Sequence, residues 1–408
     1  MTGIVGTESN HAEQALEASR YRFGAKISMK GGGRAPARSD RSHLLGGRGS
    51  FERVALPALW VLAIAIFGAI EPNLFLTLRN FQSVFGFQAV SVILAIGLLV
   101  PLTTGDFDLS VAAMMGMSSM VVAVLNVNDH WPIGNAILVA LGIGILVGII
   151  NAFVVVRLHV NAFIVTLGTA TILGGFALAV SNEATVGGIS NSLVSLTNQE
   201  YGGLPVSFYF ELVVGFVIWY VMAMTPTGRK WLFIGRNAEV ARLSGISTGR
   251  LRSSALIIAS FLAALAGVVS AGTVGSADPT SASLYLLPAY AAAFLGATTL
   301  TPGRFNVWGT VITIYFLDTC FSGLQLLGLA NWIQQVFYGS VLVVAVALSQ
   351  SSRRRHRRSR VIDRTAPGWP EAPAVGSPGD VTSGGESAAL VAPAIGVDSS
   401  RTRRTDSH

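Results

Sequence analysis

A chain of 408 residues that is 51% hydrophobic and only 12% charged is too apolar to fold as a soluble globular protein. Its net charge of +7 does not point to nucleic acid, because the basic residues collect at the two ends and in one internal segment, between apolar runs of bilayer-spanning length. The single cysteine, Cys320, excludes an intrachain disulfide and sits in an apolar run, where a small buried hydrophobe is expected.

Residues 1–50 are polar, rich in Gly, Ser and Arg, and carry no apolar signal core, so they are expected to form a disordered tail. The membrane domain follows over 51–350, with spans predicted at 54–70, 84–102, 110–127, 133–156, 161–180, 206–224, 254–272, 285–300, 306–322 and 331–349. Residues 351–408 open on a basic cluster and continue in Pro, Gly, Ser and acids, which reads as a stop-transfer signal and a second disordered tail. The fold class is therefore an all-α polytopic membrane protein of about ten helices. Ten spans with the N-terminus inside put 27 of the 28 Lys and Arg residues on the inner side, Arg79 being the exception. That partition predicts that both termini and the 226–253 loop are cytoplasmic. Trp60, Trp131, Trp219, Trp308 and Trp332 fall at or near predicted span ends, as interfacial anchors do.

Small residues are dense within the spans: Gly142, Gly144 and Gly148 in the fourth, and Ala263, Ala264, Ala266 and Gly267 in the seventh. They predict close helix–helix packing. The 226–253 segment is the long polar stretch between spans, with six basic residues and one acid. Within it a short helix is predicted from Asn237 as N-cap to Gly245 as stop, with Glu239 and Arg242 paired on one face. Ala238 and Ala241 would leave a shallow apolar strip for a partner. From its own residues the loop is equally a solvated segment whose charge sets topology.

No phosphate-binding G-x-x-x-x-G-K-[ST] loop occurs, nor an H-E-x-x-H, a G-x-S-x-G or a Cys/His set at metal spacing. No histidine falls inside a predicted span, so an intramembrane enzyme is not expected. An ion-coupled carrier needs ionisable residues at membrane depth. The candidates are Asp318, near the outer end of the ninth span, and Asp106 and Asp108 in TTGDFDLS, with no charge in the middle of the other spans. In that stretch Pro101 and Gly105 are expected to break the second span, and Asp108 or Ser110 to cap the third. Pro288, Gly296, Pro302 and Gly303 punctuate a second hairpin in the C-terminal half. Two interrupted hairpins suggest pseudo-symmetric halves around a pathway, although each also reads as an ordinary capped turn.

Four stretches, AIGLLVPLTTGDFDLSVAAMMGMSSMVVA, VNAFIVTLGTATILGGFAL, IGRNAEVARLSGIST and FLGATTLTPGRFNVWGT, resemble in that order the permease subunits of bacterial ABC sugar importers of the ribose, xylose and galactose class. The resemblance covers about residues 80–350. It implies a type II-like permease dimer in the inner membrane, separate cytoplasmic ATP-binding subunits that hold the ATP, no cofactor in this chain, and an extracytoplasmic sugar-binding protein. It implies a coupling helix in the 226–253 loop, with Gly235, Arg236, Asn237, Ala238, Glu239, Ala241 and Gly245 at the ATPase contact. It places Gly105, Asp106, Asp108, Leu109 and Ser110, with Asn161 and Phe163, as candidates along the translocation path. The chain departs from the family pattern where a Y-E-L-D-A-I-A-like stretch is usual, reading Tyr285, Leu286, Leu287, Pro288, Ala289, Tyr290 and Ala291, without the acidic pair. Asn161 likewise stands where the family often has Pro or Gln. An ion-coupled secondary transporter of a small polar solute is the alternative.

Overall fold

The computed structural model describes residues 42–330 and 332–347. The expected tail disorder lies outside these residues, except that 42–50 form the start of the first helix, α1 (Ser42–Ile70). Once a span has nucleated a helix, each added residue gains a hydrogen bond at little further cost, so α1 extends outward beyond the apolar run. A one-turn helix, α2 (Pro72–Phe75), leads into α3 (Leu78–Thr104), α4 (Ser110–Ala123) and α5 (Ile133–Ala152). The last two each end in a π turn, over Val124–Asn128 and Phe153–Arg157. Then come α6 (Ala162–Ser181), α7 (Asn191–Asn198), α8 (Val206–Met224), α9 (Pro226–Arg236), α10 (Ala238–Leu243) and α11 (Thr248–Val274). The helical part closes with α12 (Ser283–Gly296), α13 (Val307–Leu326) and α14 (Trp332–Ala347). Two-residue strands pair Val186–Gly187 with Ser276–Ala277, and Glu200–Tyr201 with Leu204–Pro205, on loops between helices.

Among the described residues, seven helices are long and apolar enough to cross a membrane: α3, α4 and α5 with their π turns, α6, α8, α11 and α13. Val54–Ile70 of α1, α12 and α14 are shorter apolar helices at three of the remaining predicted positions. At the centre stands α11, packed on α3, α4 and α5. Its Ala255, Ala259, Ala263, Ala264, Ala266 and Ala271 are almost wholly buried. In lipid, helices gain little from hiding apolar area, so close van der Waals contact decides packing, and small side chains permit it. A Cβ on Gly148 of α5 would lie 2.7 Å from the Ile257 backbone of α11, so that crossing tolerates no larger residue. Gly144 meets α11 in the same way, whereas Gly142 faces open space. Polar pins add direction: the Ser118 hydroxyl of α4 donates to the Ala264 carbonyl of α11 at 2.7 Å, both within the core.

Two local expectations are corrected. Pro101 does not break α3, which runs through it and stops at Thr104, where Gly105 adopts a left-handed φ of 93°. Proline in a membrane helix is tolerated when neighbouring helices hold its turn, and Pro101 is buried on all sides. The apolar run 206–224 does hold a charge-bearing residue: Glu211 in α8 is fully buried and accepts a hydrogen bond from the Tyr315 hydroxyl of α13.

Candidate coupling and translocation site

The polar segment between α8 and α11 folds into two helices where one was expected. Thr225 caps α9 by accepting from the Gly228 amide at 3.4 Å, and Pro226 occupies the first turn, where a missing N–H costs nothing. Trp231 and Ile234, three residues apart, bury one face of α9, and the Trp231 indole donates to the Leu251 carbonyl of α11 at 3.1 Å. The next helix, α10, carries the expected caps. Asn237 Oδ1 accepts from the Glu239 and Val240 amides at 3.0 and 3.1 Å, and Gly245 follows the helix at φ 78°. Arg242 and Glu239 form an exposed ion pair at 2.7 Å. The apolar strip differs from expectation. Ala241 is fully buried against the chain, while Ala238, Val240 and Leu243 are exposed, Leu243 at 77%. A helix of six residues gives too little periodicity to fix its inward face from sequence.

The last turn of α9 rests on the end of α3. The Cα of Gly235 lies where a Cβ on Gly105 would be 3.9 Å away, and a Cβ on Gly235 would collide with the Thr103 carbonyl oxygen. Gly235 and Gly105, expected in two separate roles and 130 residues apart in the chain, therefore share one contact. A second tie reaches the same turn. Arg252 at the start of α11 donates from Nε to Asp106 Oδ2 at 2.9 Å and from Nη2 to Oδ1 at 2.6 Å, a two-pronged ion pair onto a buried carboxylate. Arg252 read as one more topological charge, because nothing in the sequence links it to a residue 146 positions earlier.

Beyond Asp106 the chain turns into α4 through a closed polar network. Asp108 is fully buried, and its Oδ1 accepts from the Ser110 amide at 3.0 Å and the Ser110 hydroxyl at 2.5 Å. It stands one residue before Leu109, which occupies the cap position of α4 without a side-chain cap bond, so neither Asp108 nor Ser110 is the expected cap. Asn151 of α5 donates to the Ser110 hydroxyl at 3.0 Å, and Thr169 of α6 donates to Asn151 at 2.7 Å. The Leu109 amide donates to the Thr166 hydroxyl at 3.0 Å, and the Tyr290 hydroxyl of α12 donates to the Asp108 carbonyl at 3.0 Å. The α3–α4 turn is thus tied to α5, α6, α11 and α12, with α9 resting on it. Asp108 Oδ2 is the buried carboxylate oxygen here without a partner. Asn161 and Phe163 lie apart from this knot. Asn161 is exposed and caps α6 by accepting from the Phe163 amide at 2.9 Å, and Phe163 is half-exposed on the outer surface of that helix.

The opposite half of the bundle holds a cavity of about 280 Å³ between the first turns of α3, α12 and α14 and the second half of α13. None of the sequence-derived path candidates lines it. Asp318 does, and Gln88 donates to its Oδ1 at 2.5 Å, which ties α3 to α13. Among the described residues no group of three or more His, Cys, Asp or Glu could hold a metal ion. Outside the spans, Asp278 is held below its ordinary value chiefly by the Thr280 side chain, which donates to Oδ1 at 2.7 Å, as does the Thr280 amide. Thr185 beside the first strand donates to its other oxygen at 3.1 Å.

A family model described as branched-chain amino acid transport system / permease component matches residues 80–346. The D-allose transport system permease protein AlsC of Escherichia coli is 31% identical over 289 residues, 71% of this chain and 89% of that protein. The ribose import permease protein RbsC of Haemophilus influenzae is 31% identical over 313 residues, 76% of this chain and 96% of its own length. The autoinducer 2 import system permease protein LsrD of Photorhabdus temperata is 30% identical over 309 residues, 74% and 92% of the two chains. No solved structure matches the chain. Seven membrane-length helices, a matched region that takes in the whole α3–α13 core, and relatives matched over nearly their entire length place the chain in this family: it is a multi-pass inner-membrane permease subunit of an ABC importer, a transport component and not an enzyme.

Proposed function

We propose that the chain imports a monosaccharide-class solute as one of two permease copies, with ten spans and both termini in the cytoplasm. Members of the family work with ATP-binding subunits and a substrate-binding protein. In this reading ATP is bound by the partner subunits alone, the exposed face of α9 and α10 docks on them, and the α3–α4 turn receives their motion. The observation that carries it is the seat of Gly235 on the Thr103 carbonyl, with Arg252 clamping Asp106 beside it. A conformational change transmits energy only through contacts that differ between states, and a glycine against backbone is a contact without slack. Tyr290 extends the linkage into α12, whose first turns line the outer cavity. The polar residues Asp108 and Ser110 act here as the receiving joint, buried in the knot, and not as the wall of the path.

The sugar class rests on the relatives named for allose, ribose and autoinducer 2 import, which outweigh the amino-acid wording of the family description. Proteoliposomes containing the chain, its ATP-binding subunits and its binding protein test the reading. Uptake that requires ATP and ignores a protonophore supports it. Uptake that collapses with the protonophore and ignores ATP would mean an ion-coupled carrier using buried acids such as Glu211 and Asp318.

A further inference from the structure

A recess lined by polar side chains beside aromatic faces is a place where a small polar solute can be held. The outer cavity has that character. Gln88, Ser91, Asp318, Gln325 and Gln334 present polar groups to it from three helices. Only the Gln88–Asp318 bond engages this set; among the described residues nothing bonds to Asp318 Oδ2, to the Ser91 hydroxyl or to the side-chain amides of Gln325 and Gln334. Aromatic faces complete the lining: Phe321 and Tyr338, with centroids 6.1 Å apart, on one side and Phe87 and Tyr285 on the other. Amide and carboxylate groups at the rim of aromatic walls suit a ring that carries hydroxyls at its edge and C–H groups on its faces.

Size and charge narrow the class. A monosaccharide ring, with the volume of roughly five or six waters at about 30 Å³ each, fits within this space with room for bridging water. Among the described residues, no Lys, Arg or His lines the cavity. A sugar phosphate would bring its anion towards Asp318 without a cation to receive it. An amino acid could offer its ammonium to Asp318, but its carboxylate would be stranded. Pro288 of α12 lines the same wall, and the carboxylate is supplied by Asp318 of α13.

Resting on the sugar-import reading, we infer that this cavity holds one neutral monosaccharide-sized polyol on its way through the permease, with Asp318, Gln325 and Gln334 as its hydrogen-bonding partners. The test uses the assembled importer in proteoliposomes. The purified binding protein is first screened by thermal shift against D-ribose, D-xylose, D-allose, D-galactose and myo-inositol, with L-leucine as the contrasting probe. The compound that stabilises it is then the labelled uptake substrate. Gln325→Ala with Gln334→Ala, the first exposed and the second half-buried, should cut uptake about tenfold or more while ATP hydrolysis stimulated by the loaded binding protein persists. Ser91→Trp, which fills the cavity, should do the same, and Ser91→Thr should restore transport. Unchanged uptake in the Gln325/Gln334 double variant overturns the inference and leaves the importer reading standing. A binding protein stabilised by L-leucine and by none of the polyols overturns the sugar reading and the inference together.

Discussion

Replacing Gly235 with alanine adds one methyl group at the point where α9 meets α3. That carbon would lie 3.1 Å from the Thr103 carbonyl carbon and 3.4 Å from that of Thr104, and nearer still to the Thr103 oxygen. All three neighbours are backbone, so no side chain can swing aside, and α9 must lift from its seat. Overpacking of this kind costs about 1–3 kcal/mol, and a gap of about 0.5–1 Å already forfeits a quarter to a half of each van der Waals contact it opens. If the seat is the point where partner motion enters the membrane, a coupling loss of that size is about five- to 150-fold in transport. The assay is ATP-driven uptake by the reconstituted importer, read beside stimulation of ATP hydrolysis by the loaded binding protein. Gly235→Ala should lose both, while the chain still inserts and co-purifies with its partners. Gly142→Ala and Gly174→Ala are the controls, since an added Cβ meets nothing within 4 Å at either position, and both should transport normally. Wild-type uptake by Gly235→Ala would refute the reasoning.

Three other outcomes follow from the same site. Arg252→Ala leaves the Asp106 carboxylate buried without its cation, and because Arg252 is itself partly exposed the expected loss is about 2 kcal/mol, below that of a wholly buried pair, read as a lowered midpoint in thermal unfolding. Adding Asp106→Asn should recover part of it. Asp108→Ala removes the acceptor of the Ser110 amide and hydroxyl at the start of α4, costing about 1 kcal/mol. Impaired uptake is expected, and unimpaired uptake would reduce Asp108 to a local structural acceptor. Asp278, depressed by Thr280, gives a pH signature: a group whose native value is lowered stabilises the fold above its unfolded value and loses that as pH falls through the native one. The midpoint difference between the chain and Asp278→Asn should therefore be steady well above 3.8, shrink as pH falls below 3.8, and vanish only below the lower native value.

Local chemistry of this joint was legible in the sequence, and its tertiary contacts were not. Asn237 and Gly245 announced α10 because caps act within one turn, and Gly105 announced the end of α3 for the same reason. The start of α9 carried a signal too, Thr225 before Pro226 with Trp231 and Ile234 on one face, and could have been read. By contrast, the inward turn of Ala241 depends on how the short helix docks, and the pairing of Arg252 with Asp106 depends on α11 crossing α3. Pro101 misled because the rule for helix breaking presumes water, whereas packed neighbours hold this helix together. Glu211 escaped notice because a single acid near the start of an apolar run reads as interfacial until a tyrosine on a distant helix is found against it.

The central claim is that the partner's energy enters through the exposed face of α9 and α10. Leu243, 77% exposed at the end of α10, is the apolar residue best placed to be covered by a docked ATP-binding subunit. Co-purification of those subunits with a Leu243→Glu chain, followed by ATP-driven uptake in proteoliposomes, measures this directly. The account predicts an inserted permease that releases its ATP-binding subunits and no longer transports; retained partners with unimpaired uptake would contradict it.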